Sequence, residues 1–264
     1  MDYNYDDWKI KAKEFWEETD KKNIDCDECN IMQKCVCLAF RDLTVRTMTK
    51  SDKTKTISLD NLAKEFCETE YMEKITKWIN GDETWTEENF NDLHKTLCEM
   101  VREFLVPDYY EECTYGKAQK IVNMTFKYLC AYYCANSEES KDENCFKFCH
   151  MPLDSFTLEW FKRSEIPNVA KGKIGAWSNM DKKDDEKSYG YEFYYKEIKK
   201  YFETQKVTPL QAEFVIWPHI QKELAAEAFI FTFKQINEVD ERRKIRGDSL
   251  NKKITRVKEI VKKM

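Results

Sequence analysis

The residue types that could do chemistry here are the amines of Lys117, Lys120 and Lys127 and the carboxylate of Asp154. An amine is a nucleophile only when unprotonated, a form that apolar surroundings favour. A carboxylate beside it can stabilise positive charge that develops at the attacked carbon. Lys117, Lys120, Asn123 and Lys127 recur three or four residues apart, so on a helix they share one side.

Two elements must position these groups. Residues 114–134, TYGKAQKIVNMTFKYLCAYYC, predict a helix from the Tyr115-Gly116 turn to about Ala135. Ala118, Val122, Met124, Phe126, Leu129, Tyr132 and Tyr133 make most of its surface apolar, which places it at the centre of its domain. A polar stripe on such a helix faces either water or a site. Residues 145–163, CFKFCHMPLDSFTLEWFKR, hold the second element. Pro152 keeps Met151 out of the helical region, and Asp154 or Ser155 can cap a helix over Phe156 to Lys162. A carboxylate there gains from the helix dipole and from free N–H groups.

A Lys at the start of a buried helix, then Pro-x-Asp opening the next one, resembles the helix-hairpin-helix DNA glycosylases. The archaeal oxoguanine glycosylase type, in which a Gln-Lys or Lys-Lys pair opens the helix, is the most similar variant. The resemblance covers residues 114–163. It implies Lys120 as the nucleophile on the sugar carbon of a flipped nucleotide, with Lys117 as rival, Asp154 assisting, and DNA as partner. Aromatic residues would hold an extruded base by stacking. Tyr115, Trp177 and Trp217, with Asn123, are the candidate substrate-binding residues.

The whole chain has 264 residues and a net charge of −5, with a pI near 5.5. Six Gly and five Pro among many Lys, Glu and aromatic residues argue for an all-α, multi-helix globular protein. Two helical subdomains, 1–105 and 106–264, with a cleft between them are the expected organisation. An acidic average opposes simple nucleic-acid binding, because phosphate contacts need basic surface. The charge is uneven: residues 241–264 hold ten Lys or Arg against three Asp or Glu. No run of about 18 apolar residues predicts a membrane span. The acidic start, MDYNYDDW, has no apolar signal region, so a cytoplasmic location is expected.

Eleven cysteines open a metal reading. Cys26, Cys29, Cys35 and Cys37 could hold zinc or an iron–sulfur cluster, although the Cys35-x-Cys37 half matches no common spacing. Cys130, Cys134, Cys145, Cys149 and His150 form a second such group if two helix ends meet. Packing as small buried hydrophobes is the expected role in both places, and no cofactor is assigned. His94 falls on an amphipathic helix from Thr86 to about Val106, where a histidine is expected at the surface or boundary. Further helices are expected over Tyr5 to Lys21, Leu59 to Asn80, Tyr189 to Glu203 and from Thr208 onward. Pro167 to Ser188 reads as a long loop.

No phosphate-binding glycine loop, zinc-protease helix or serine-hydrolase elbow is present. The sequence therefore supports a DNA base-excision glycosylase and lyase that acts on a modified or damaged base. The alternatives are a non-catalytic helical protein that binds a ligand or protein partner in an aromatic groove, and a Cys-rich metal-binding regulator.

Overall fold

The computed structural model describes residues 3–21, 30–43, 48–54, 56–136, 143–166 and 169–240, without the side chains of 232–240. Among them are nine α-helices and no sheet. The chain divides into two compact units, 1–215 and 216–264. In the first lie α1 (Trp8–Asp20), α2 (Ile31–Arg41), α3 (Leu59–Cys67), α4 (Glu70–Asn80), α5 (Glu87–Leu105), α6 (Tyr115–Ala135), α7 (Ser155–Arg163) and α8 (Tyr191–Phe202). The ninth, α9 (Pro209–Asp240), starts in the first unit and continues through the second. No described helix is long and apolar enough to cross a membrane.

The unit of residues 1–215 is built around α6. Sixteen of its 21 residues are buried and none is fully exposed, which fits the central place its apolar surface predicts. Neighbours α1, α2, α5 and the short turn Trp177–Asn179 all pack on it. Aromatic side chains fill the contacts. Phe90 of α5 meets Phe126 edge to face, with centroids 5.2 Å apart, and Phe15 of α1 stacks on Tyr128 at 5.3 Å. Phe126 is 0 % exposed, and full burial of such a side chain is worth about 3 kcal/mol. The Trp78 indole, also buried, donates to the Cys145 carbonyl at 2.7 Å. On either side of residue 106, α5 and α6 pack against each other.

The predicted helix from Leu59 to Asn80 is two helices. Thr69 takes extended backbone angles, its hydroxyl accepts from the Tyr71 N–H, and it donates to the Phe66 carbonyl at 2.7 Å. One residue thus closes α3 and caps α4, which competes with a continuous helix. Gly81 ends α4 at φ 76°, a left-handed conformation open to glycine at little cost. The Tyr5 to Lys21 segment opens with a 3-10 turn, Tyr5–Asp7, before α1. The expected long loop holds two short turns, Lys171–Lys173 and Trp177–Asn179. Cys26, Cys29, the basic residues 241–264 and part of the acidic link (137–142) lie outside the described residues.

Two members of the α6 stripe face protein interior, not water: Lys117 and Lys127 are 1 % and 2 % exposed. Lys127 forms an ion pair at 2.6 Å with Glu213 near the start of α9, and its ammonium lies 4.3 Å from the Phe15 ring centroid. Burial raises the Glu213 carboxyl above its usual range, against the pull of Lys127. Breaking a buried pair leaves one charge without compensation. Lys127→Met and Glu213→Leu should each cost about 3–5 kcal/mol in urea unfolding, and the double variant should recover most of that loss. Additive losses would show that the two charges do not stabilise each other.

Candidate functional site

Lys120 and Asp154 meet in space. Lys120 Nζ lies 3.9 Å from Asp154 Oδ2, and each side chain is 12 % exposed. The carboxylate is held from behind, since Asp154 caps α7. Its Oδ1 accepts from the N–H groups of Phe156 (2.8 Å) and Thr157 (3.0 Å). The Thr157 hydroxyl closes the capping box at the Asp154 N–H, 2.7 Å away. Oδ2 is thereby turned toward the lysine.

Trp177 completes the group. Lys120 Nζ stands 4.6 Å from its ring centroid, within cation–π range. Gly116, one helical turn before Lys120, makes this approach possible. A Cβ at that position would lie 1.9 Å from the Trp177 carbonyl oxygen. The Gly116 N–H donates to the Met180 carbonyl (2.9 Å), and the Thr114 hydroxyl donates to the Ser178 carbonyl (2.7 Å). The aromatic turn is therefore pinned to the first turn of α6, and residues four apart on a helix share a face. This arrangement offers an accessible amine, a fixed carboxylate and an aromatic face within a few ångström.

Beneath this surface group runs a network of buried polar side chains. Asn123 is 0 % exposed; its amide donates to Gln119 Oε1 (2.9 Å) and to the Tyr191 hydroxyl (3.0 Å), with the Met151 carbonyl at 3.3 Å. Its Oδ1 accepts from His94 Nε2 at 2.9 Å. The Tyr191 hydroxyl donates to His150 Nδ1 at 2.9 Å, and His150 Nε2 donates to Asn91 Oδ1 at 2.8 Å. This donor order follows from the amide oxygens, which only accept. The amide oxygens place a proton on Nε2 of each ring, and burial, which lowers the basicity of both, keeps the imidazoles neutral. Aromatic rings pack around the network: Tyr191 stacks on His94 at 5.3 Å and Tyr195 on His150 at 4.0 Å, while the His94 and His150 rings meet tilted, with centroids 4.3 Å apart.

His94 is therefore core, not surface or boundary. The amphipathic pattern of α5 is sound, but His94 falls on its inner face, where Asn123 and Tyr191 supply partners. His150 is likewise committed to Tyr191 and Asn91, away from a thiol cluster. Asn123, expected to touch substrate, is wholly buried and spends its amide on internal bonds. Tyr115 is 2 % exposed and packs against Tyr191. Lys117 is buried near Cys113, whose thiol burial pushes up to about 11. Trp217 is half-buried on α9, in the second unit. Gln119, Asn91, Tyr191 and both histidines are the residues that sequence reasoning did not bring together. The available signal is a polar residue at a position where the apolar period of α5 or α6 demands a hydrophobe.

No family model, curated protein or solved structure matches this chain. Its chemistry rests on its own geometry. Among the described residues, no group of three or more His, Cys, Asp or Glu side chains is arranged to hold a metal ion. Cys35 and Cys37 are buried in α2, and two residues apart on a helix they point to different sides. Cys130 and Cys134, one turn apart, are free thiols that share a hydrogen bond, which with burial raises the Cys130 thiol far above its usual range. A cavity of about 540 Å³ beside the start of α6 is lined by Glu99, Glu103, Glu111, Glu112 and Asp181, with Arg102 as counter-charge. A second, of about 220 Å³, has Phe148, Tyr195, Phe202, Val207 and Pro209 as apolar wall.

Burial pushes the His94 imidazole down to about 3, with the Lys182 cation acting in the same direction and the Asn123 bond against it. Burial and the neighbouring His94 push His150 well below its usual range. Unfolded, each titrates near 6.5. Between these values the unfolded chain binds more protons, so stability is complete above about pH 6.5 and falls as pH drops. The slope approaches about 1.4 kcal/mol per pH unit for each histidine. Urea midpoints from pH 8 to 4.5 should show this decline, and His94→Gln should flatten part of it. A flat wild-type profile would contradict the neutral pair.

Proposed function

We propose that this protein is a DNA base-excision glycosylase and lyase, with Lys120 as nucleophile and Asp154 as its acidic partner. The observation that carries the reading is the Lys120–Asp154 contact at 3.9 Å under the Trp177 ring, open to solvent at its edge. Lys117, at 1 % exposed, has no comparable access, which favours Lys120 of the two. The order of the motif along the chain, its resemblance to the helix-hairpin-helix enzymes and the contact in space agree with one another.

The steps follow from the groups present. The Lys120 amine attacks C1′ of an extruded nucleotide, the N-glycosidic bond breaks, and its electron pair leaves with the base. Asp154, anchored by the α7 cap, offers its negative charge to the cationic sugar and can take the proton that the amine sheds. Ring opening then gives an iminium on Lys120, and β-elimination expels the 3′-phosphate. Hydrolysis releases the amine. Trp177 can stack on the extruded base or brace the backbone beside it.

The DNA backbone would avoid the carboxylate-lined cavity, where like charge repels phosphate. Exposed Lys171, on the segment that follows α7, offers a cation instead; Lys162 and Arg163 in the last turn of α7 are each paired with Glu159. The second reading is a non-catalytic binding protein, and the aromatic cavity around Phe148, Tyr195 and Phe202 favours it.

Borohydride trapping separates the two. Incubation with abasic and modified-base duplexes plus reductant should give a covalent protein–DNA adduct. Lys120→Ala should abolish it, and Asp154→Asn should slow it by about 10²-fold or more. A wild-type protein that forms no adduct on any of these duplexes is not a lyase of this type, and the binding reading then stands.

A further inference from the structure

We infer that Gln119 is a positioning residue: its buried amide fixes the Leu153–Asp154 backbone against α6 and so sets the distance between Asp154 and Lys120. This inference rests on the reading of Lys120 and Asp154 as the reacting pair.

The segment Met151–Leu153 has no regular structure, and the Leu153 peptide groups find no partner within a helix or sheet. Buried peptide groups need partners, and α6 provides them. Gln119 is 0 % exposed and directly precedes Lys120. Its Nε2 donates to the Leu153 carbonyl at 2.9 Å, and its Oε1 accepts from the Leu153 N–H at 3.3 Å. A side-chain amide thus pairs with both polar groups of one residue, as a neighbouring strand would. The same amide is itself held: Nε2 also donates to the Gly116 carbonyl (2.8 Å), and Oε1 accepts from Asn123 (2.9 Å).

Asp154 is consequently anchored from both directions. On its C-terminal side the α7 cap fixes Oδ1; on its N-terminal side Leu153 is fixed to Gln119. The nucleophile and the residue that places its partner are adjacent on one rigid helix. A packing role alone would be filled by any apolar side chain of this volume. Four hydrogen bonds in consistent donor order, two of them to the residue beside Asp154, do something that packing cannot: they set register.

Gln119→Met keeps the volume and removes the bonds. It should let the Leu153–Asp154 segment move, and an error of about 1 Å in such geometry can cost about 10²-fold in rate. The expected result is a trapping rate at saturating DNA reduced about 10²-fold, with half-saturation little changed. An assay that needs no activity accompanies it: acylation of Lys120 by an amine-reactive ester, followed on its peptide by mass spectrometry. Gln119→Met should label at a rate close to that of Asp154→Asn, because in both the amine has lost its carboxylate. Thr125→Val is the control. It removes a buried α6 hydroxyl that donates to the Ile121 carbonyl of the same helix at 2.9 Å. It should lower stability but leave labelling as in wild type.

If Gln119→Met labels like wild type and like Thr125→Val, the positioning role is overturned. If labelling shifts as expected but wild type traps no DNA, positioning holds and the glycosylase reading fails alone. Should Gln119→Met not fold, Gln119→Asn keeps the amide but retracts it by one methylene, and is judged by the same outcomes.

Discussion

A helix buried on every side must find a partner for each polar group it carries, and that constraint organises this protein. On α6, Gln119, Asn123, Thr125 and Lys127 are all within the core. An unpaired amide there would cost about 1–3 kcal/mol, and an unpaired ammonium more. Three are met by a side chain or peptide from elsewhere, Leu153 for Gln119, His94 and Tyr191 for Asn123, and Glu213 for Lys127, while the Thr125 hydroxyl donates to the Ile121 carbonyl of its own helix. The polar stripe therefore works as a set of addresses. It specifies which segments lie against α6 and in what register, which an apolar helix would leave to shape alone.

Lys120 is the exception on that stripe. It stands at the edge of the core, where Trp177 covers it on one face and Asp154 on another. Its neighbours are rigid for separate reasons. Gly116 admits the Trp177 carbonyl, the α7 cap holds the carboxylate, and Gln119 holds the backbone before it. A site built on helix ends in this way is more sharply defined than one carried on loops, because each supporting bond also belongs to the fold. The buried histidines contribute in the same sense. Neutral and packed ring against ring, they keep the donor order that ties α5, α6 and α8 to the segment Met151–Asp154.

The charge distribution has a consequence for partners. The acidic balance of the chain is concentrated in places such as the cavity beside Tyr115, while Lys162, Arg163 and Lys171 lie around the segment that follows α7. Net charge therefore says little about which ligand approaches Lys120, because local potential governs encounter.

The sequence by itself determined the helical class, the limits of α5, α6 and α7 to within a residue or two, and the choice of Asp154 or Ser155 as the α7 cap, which the structure resolves in favour of Asp154. Those depend on local periodicity and on the residues that start and stop helices, and both are visible within a few positions. It also singled out Lys120, Asp154 and Trp177 as residue types suited to one chemistry. Only the tertiary structure decided that these three meet, that Lys117 is enclosed while Lys120 is open, and that His94, His150 and Asn123 are core. Those are questions of which helix face turns inward and which distant peptide pairs with which amide. The apolar period of a single helix cannot answer them, because a buried polar residue and an exposed one read alike until its partner is known. At Thr69 the order is reversed. Its hydroxyl, a purely local group, divides a stretch that apolar spacing alone makes continuous.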